Sequence, residues 1–173
     1  MIENLEKTIL FSSIAHKNQE MMEPDVPYIT HVISVAGNVL EAYYNGKEKF
    51  DLNLALKIAL LHDTIEDTSI TYDDVNINFG KEVADGVLAL TKDSSLPKEI
   101  QLKNSIERII LSSKEAAIVK LADRINNLMI KPNCWSNEKW NNYLEESKFI
   151  YENLKKYNSY LANKLEERIK LEN

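Results

Sequence analysis

The stretch LALKIALLHDTIEDTSIT, residues 54–71, decides how this chain is read. Its first half is apolar but for Lys57, with Leu54, Ala55, Leu56, Ile58, Ala59, Leu60 and Leu61 spread around a helix. A helix that is apolar on all sides is a buried one. His62, Asp63, Glu66 and Asp67 then arrive within six residues. Such groups are costly to bury unless something compensates them. Successive helical residues point about 100° apart, so His62 and Asp63 can converge on one ion. Imidazole nitrogen with carboxylate oxygen suits Mn, Fe, Zn and similar divalent ions. His62 and Glu66 are four apart, as are Asp63 and Asp67, which puts the two acids one turn beyond the candidate ligands.

An HD dipeptide alone also describes a capped or surface histidine beside an acid. The apolar helix before it and the ED after it are what point to a site. The chain has three histidines, so the search for further ligands is short. His31 follows PYIT at the start of a predicted helix, and His16 sits on the first helix, where a packing role is the default. Asp123 lies in VKLADRINNL, embedded in apolar residues as the HD pair is. A buried aspartate needs a cation, and Arg124, a lysine and a metal ion all remain open.

The rest of the chain sets bounds on function. Its 173 residues fit one domain, 1–173, with a sizeable core. A net charge of −6 gives no general attraction to nucleic acid or an anionic membrane, though a metal or a few lysines can still bind an anionic small molecule. Cys134 is the single cysteine and has no partner for an internal disulfide. The first residues carry acids and no long apolar run, so neither a signal peptide nor a membrane span is expected, and a cytoplasmic protein is. The sequence carries no signature of oligomeric state. Cys134 lacks an evident partner histidine and there is no G-x-S-x-G elbow, which favours hydrolysis by activated water over a covalent route.

Four glycines and four prolines leave little punctuation for a sheet, and the apolar spacing is helical almost throughout. An all-α, single-domain bundle is expected. Its first helix has Leu5, Ile9, Ser12, Ser13 and His16 on one face. The prolines of EPDVP interrupt the chain, and Thr30 is a candidate cap for a helix from 32 to about 44. Thr71 should cap a short helix ended by Gly80, and Ser95 with Pro97 should open the helix after it but one. The strongly apolar segment 114–130 should stop before Pro132, and one or two amphipathic helices close the chain. The charged segment 158–172 reads as a helix with a solvated face.

PYITH, ALLHDTIEDTSIT, FGKEVADGVLALTK and VKLADRINNL, in this order and spacing, resemble the HD-domain hydrolases of the RelA/SpoT type. Within them the chain is most similar to the stand-alone small alarmone hydrolases, metazoan SpoT homologues among them. The likeness spans about 9–151. It implies an HD-domain helical bundle that removes the 3′-pyrophosphate from (p)ppGpp-like nucleotides. It also implies one Mn²⁺ held by His31, His62, Asp63 and Asp123, with Glu66 and Asp67 acting on the attacking water. A divalent ion draws the pKa of bound water from 15.7 toward about 7, and a placed carboxylate can take its proton. The same resemblance gives Asn127 the nucleotide sugar, Lys98 the phosphates, and Lys139 with Tyr143 a substrate-facing role. Read without the resemblance, both lysines are solvated surface charges, and Tyr28 is equally a packing or a binding residue.

The departure lies in AHKNQEMMEPDVPYITH. The family usually carries an Arg-Lys pair here, and Met21 and Met22 replace it, with Val32 in place of the proline after His31. Methionine offers a polarizable contact but no cation–π interaction and no phosphate charge. Two further readings therefore stand beside the leading one. One is an HD phosphohydrolase acting on a different nucleotide or phosphate ester. The other is a metal-containing module that binds alarmone without turning it over.

Overall fold

The computed structural model describes residues 4–22 and 25–172. As expected, it is all-α: ten helical segments and, among the described residues, no strand beyond an isolated antiparallel bridge between Glu20 and Pro27. Three helices make the centre: α2 (Ile29–Asn45), α3 (Leu52–Leu61) and α8 (Lys114–Asn127), each packed on the other two. The central α8 is buried without interruption from Glu115 to Ile125, the charged Glu115, Lys120, Asp123 and Arg124 included. The flanking α1 (Leu5–Ala15) lies on α3, while α6 (Lys81–Leu90) and α7 (Lys98–Ser112) cover another side of the core. The last two helices, α9 (Asn137–Leu154) and α10 (Ser159–Leu171), pack on α8 and on each other. The buried apolar side chains form one cluster running through these elements.

Local chemistry sets most of the boundaries. Asp51 caps α3, its side chain accepting from the Leu54 N–H at 3.0 Å. Thr71 caps α5 (Tyr72–Phe79) as expected and forms a capping box with Asp74. Gly80 then turns the chain between α5 and α6 at φ 91°, a conformation strained for any residue with a Cβ.

Three expectations are corrected. Thr30 is no cap: α2 starts at Ile29, placing Thr30 inside its first turn, and the N-cap position, Tyr28, makes no side-chain cap bond. Ser95 does not cap α7 either, because its hydroxyl and backbone N–H both go to Asp93, and Pro97 supplies the helix entry. The C-terminal segment is more than a solvated helix. Leu161, Ala162, Leu165 and Ile169 are buried, Asn158 caps α10, and Lys164 reaches Asn38 and Glu41 on α2. Apolar residues at helical spacing between the charges carry this packing, and the charges sit on the opposite face.

Candidate active site

The helix of the opening stretch does not run on through the HD pair. Leu61 is the last residue of α3, His62 and Asp63 form the corner, and Thr64–Asp67 makes a single further turn, α4. The corner is held by its own polar groups. Thr64 Oγ1 donates to the Leu61 carbonyl at 2.7 Å, and the Asp67 N–H donates to the Asp63 carbonyl at 2.9 Å. This break between α3 and α4 places His62 and Asp63 beside His31 of α2 and Asp123 of α8.

Four side chains from two of the central helices, α2 and α8, and this corner meet. His31 Nε2 lies 3.2 Å from His62 Nε2. Asp63 Oδ2 lies 2.9 Å from His62 Nε2 and 3.5 Å from His31 Nε2. Asp123 Oδ1 lies 3.5 Å from His31 Nε2 and 3.8 Å from His62 Nε2. The outer nitrogen of each histidine is engaged: His31 Nδ1 with Asn126 Oδ1 at 2.7 Å, His62 Nδ1 with the Ala59 carbonyl at 2.7 Å. An Nδ1–H donated outward leaves each Nε2 as a bare acceptor pointing inward. Two bare acceptors at 3.2 Å repel unless a cation lies between them. Donors about 2.1 Å from a common ion are separated by roughly 3 Å, so the spacing fits a divalent centre. His31, His62 and Asp63 already offer ligand atoms within 4.8 Å of one another.

The electrostatics point the same way. Burial would lower the His31 pKa, yet the Asp123 and Asp63 carboxylates raise it to about 10. His62 is likewise raised against its burial by Asp63 and Asp123. Asp63 and Asp123 are held below the usual carboxylate range, against desolvation, by the histidines and, for Asp123, by Lys120. A cluster that attracts positive charge this strongly is suited to exchange its protons for a metal ion.

The alternatives for Asp123 resolve into a division of labour. Its Oδ2 takes Lys120 Nζ at 3.0 Å, while its Oδ1 faces the histidines and accepts from Asn127 Nδ2 at 2.6 Å. Arg124 turns away, its guanidinium 3.8 Å from the Tyr143 ring centre and its NH groups on Ser147, Glu146 and the Tyr143 carbonyl.

Glu66 and Asp67 stand on α4 beside this cluster. Glu66 accepts from the Lys92 N–H at 2.8 Å and from Lys92 Nζ at 3.2 Å. The Asp67 carboxyl is pushed above its usual range by desolvation and by the charges of Asp63 and Glu66. Tyr28 packs its ring between those of His16 and His31, and its hydroxyl donates to Asp63 Oδ2 at 2.6 Å.

A cavity of about 390 Å³ opens on the His31 side, lined by Met21, Met22, Met129, Trp135, Asn127 and Tyr143 among others; among the described residues no lysine or arginine lines it. Of the four residues expected to meet substrate, Asn127 and Tyr143 line it. Lys139 is exposed, with Nζ 4.0 Å above the Trp135 ring that Tyr143 also touches, at 5.1 Å between ring centres. Lys98 is exposed at the start of α7 and lies outside the cavity wall.

The sequence reading did not single out Lys120, Lys92 or Asn126. Lys120 carried a signal, standing three residues before Asp123 on a helix, where the two side chains meet. Asn126 and Lys92 carried none, because their partners lie 95 and 26 residues away.

Comparison with known proteins agrees with this geometry. The family model described as HD domain matches residues 9–158. A guanosine-3′,5′-bis(diphosphate) 3′-pyrophosphohydrolase MESH1 from Danio rerio is 34% identical over 166 residues, covering 93% of this chain and 89% of that protein. The Homo sapiens protein of the same name is 33% identical over 165 residues, covering 92% and 89%. A solved structure described as a metazoan ortholog of SpoT that hydrolyzes ppGpp superimposes with a TM-score of 0.84 at 31% identity, covering 98% of this chain and 95% of the other. With the histidine–aspartate corner, its two partner helices and these likenesses agreeing, the chain belongs to the HD-domain family and carries the divalent-metal chemistry of that hydrolase fold.

Proposed function

We propose that this protein is a metal-dependent phosphohydrolase that removes the 3′-pyrophosphate from (p)ppGpp-like nucleotides, yielding pyrophosphate and the nucleoside 5′-di- or triphosphate. The convergence of His31, His62, Asp63 and Asp123 beside two further carboxylates carries this reading. Relatives matched over most of their length bear the name of that activity.

The four converging residues would hold the cation, Mn²⁺ in our reading. When bound, it supplies activation of water near neutral pH and polarises a phosphoryl oxygen. Every other part of the reaction falls to the chain. Lys92 holds Glu66 at the mouth of the corner, where its carboxylate can orient the attacking water. Asp67, with its raised affinity for a proton, can accept one from that water and return it to the leaving 3′-oxygen. Tyr28, Asn126, Lys120 and Asn127 fix Asp63, His31 and Asp123 from outside, and the Ala59 carbonyl fixes His62. Asn127, Tyr143, Lys139 and Lys98 are the substrate contacts we assign, the first two in the cavity wall. We further assign residues 1–173 to one hydrolase domain working in the cytoplasm. Among the described residues, no helix is long and apolar enough to cross a membrane.

One observation favours a neighbouring substrate. The cavity is walled by methionines and aromatics and, among the described residues, by no lysine or arginine, so it suits an uncharged planar group better than a polyphosphate. A substrate panel separates the readings. Metal-loaded protein that releases pyrophosphate from ppGpp, and little orthophosphate from nucleoside monophosphates, supports the proposal. Orthophosphate release from monoesters with ppGpp untouched overturns it.

A further inference from the structure

His16 is a buried histidine that the chemistry above does not use. It is 3% exposed, and its Nε2 is buried with no hydrogen-bond partner. Its Nδ1 lies 2.6 Å from Gln19 Oε1, and Gln19 Nε2 donates to the backbone carbonyl of Asp67 at 2.7 Å. The polarity of this chain is fixed by its far end. A carbonyl only accepts, so the Gln19 amide must present its NH₂ to Asp67 and its oxygen to His16. His16 is therefore protonated at Nδ1.

The same short corner governs the other end of the α4 turn. The Gln19 carbonyl accepts from the Tyr28 N–H at 2.9 Å, and the His16 ring packs on the Tyr28 ring at 4.9 Å between centres. Tyr28 in turn donates to Asp63. Asp63 and Asp67 are thus both referenced to one place, Asp67 through the Gln19 side chain and Asp63 through Tyr28. Met21, two residues past Gln19, is fixed by its N–H on the Val26 carbonyl at 2.8 Å, so the methionine loop shares this anchor.

We infer that His16 and Gln19 are positioning residues: His16, donating from Nδ1, locks the Gln19 amide, which holds the Asp67 backbone and so aims the Asp67 carboxylate at the metal corner. The inference rests on the hydrolase reading for its effect on rate, and on geometry alone for its effect on the turn. Gln19 is partly accessible, so it can be replaced without opening the core.

The test uses His16→Phe, Gln19→Met and His16→Asn, the last keeping an N–H where Nδ1 stands. His16→Phe and Gln19→Met should each lower kcat on ppGpp by about 10- to 100-fold with KM and metal content unchanged, as outer supports of metal sites do. The double variant should be no worse than either, since both break one link. His16→Asn should keep most of the wild-type rate. In metal-free protein, amide exchange at Asp67 should speed up in the first two variants and not in His16→Asn. If His16→Phe fails to fold, Gln19→Met carries the comparison. Wild-type protein inactive on ppGpp would fault the hydrolase reading, and the exchange data would then decide this inference alone. Unchanged exchange and kcat in Gln19→Met, or His16→Asn as impaired as His16→Phe, overturns it.

Discussion

His31 Nε2 and His62 Nε2 face each other at 3.2 Å while both outer nitrogens are spent on oxygen acceptors. Neither ring can turn to relieve the contact without giving up a buried hydrogen bond. The pair is built for a shared cation, and Asp63 and Asp123 complete its surroundings. Replacing Asp123 by Asn keeps an oxygen for Lys120 but removes the charge. Asp123→Asn should purify with metal well below one ion per chain, read by elemental analysis after dialysis. A full complement would remove Asp123 from the cluster.

Tyr28 supports the cluster from outside. Tyr28→Phe removes only the donor to Asp63 Oδ2 and leaves the ring packed between His16 and His31. Metal affinity, measured by competition with a chelating dye, should fall by about 10- to 100-fold. Unchanged affinity would make the tyrosine a packing residue only.

Glu66 and Asp67 should separate chemistry from metal binding. Glu66→Gln and Asp67→Asn are each expected to retain the ion and lose about 10²- to 10⁴-fold in kcat, the usual cost of removing a general acid or base. Full activity in either variant would shift the proton-transfer role to the other acid.

The C-terminal helix provides a control on stability. Asn158 is fully buried and caps α10 by accepting from the Leu161 N–H at 2.9 Å. Asn158→Ala should cost about 1 kcal/mol, a fall in melting temperature of about 2–4 °C for a chain of this size. Its kcat should not move. A large loss of activity in this variant would tie the C-terminal helix to catalysis.

The helices and the candidate ligands were legible because their signals are local. Leu54 to Leu61 announce a buried helix by composition, and the HD and ED pairs stand next to it. The cap at Thr71 reads from four consecutive residues. What stayed hidden depends on contacts that spacing does not encode. Lys92 meets Glu66, and Asn126 meets His31, only after the helices have packed. Thr30 and Ser95 misled because a hydroxyl near a proline resembles a cap, whereas here Asp93 claims the serine and α2 starts one residue earlier. The C-terminal helix was underestimated because its charges outnumber its buried residues in sequence, though Leu161, Leu165 and Ile169 align on one face.

Hydrolysis of ppGpp in ¹⁸O-labelled water by Mn²⁺-loaded protein, with a chelated sample beside it, tests the central claim most directly. Direct attack of water on the 3′-pyrophosphate predicts one labelled oxygen in the released pyrophosphate, an unlabelled guanosine 5′-diphosphate, and no turnover after chelation. Label in the nucleoside product, or equal turnover without metal, would contradict the account.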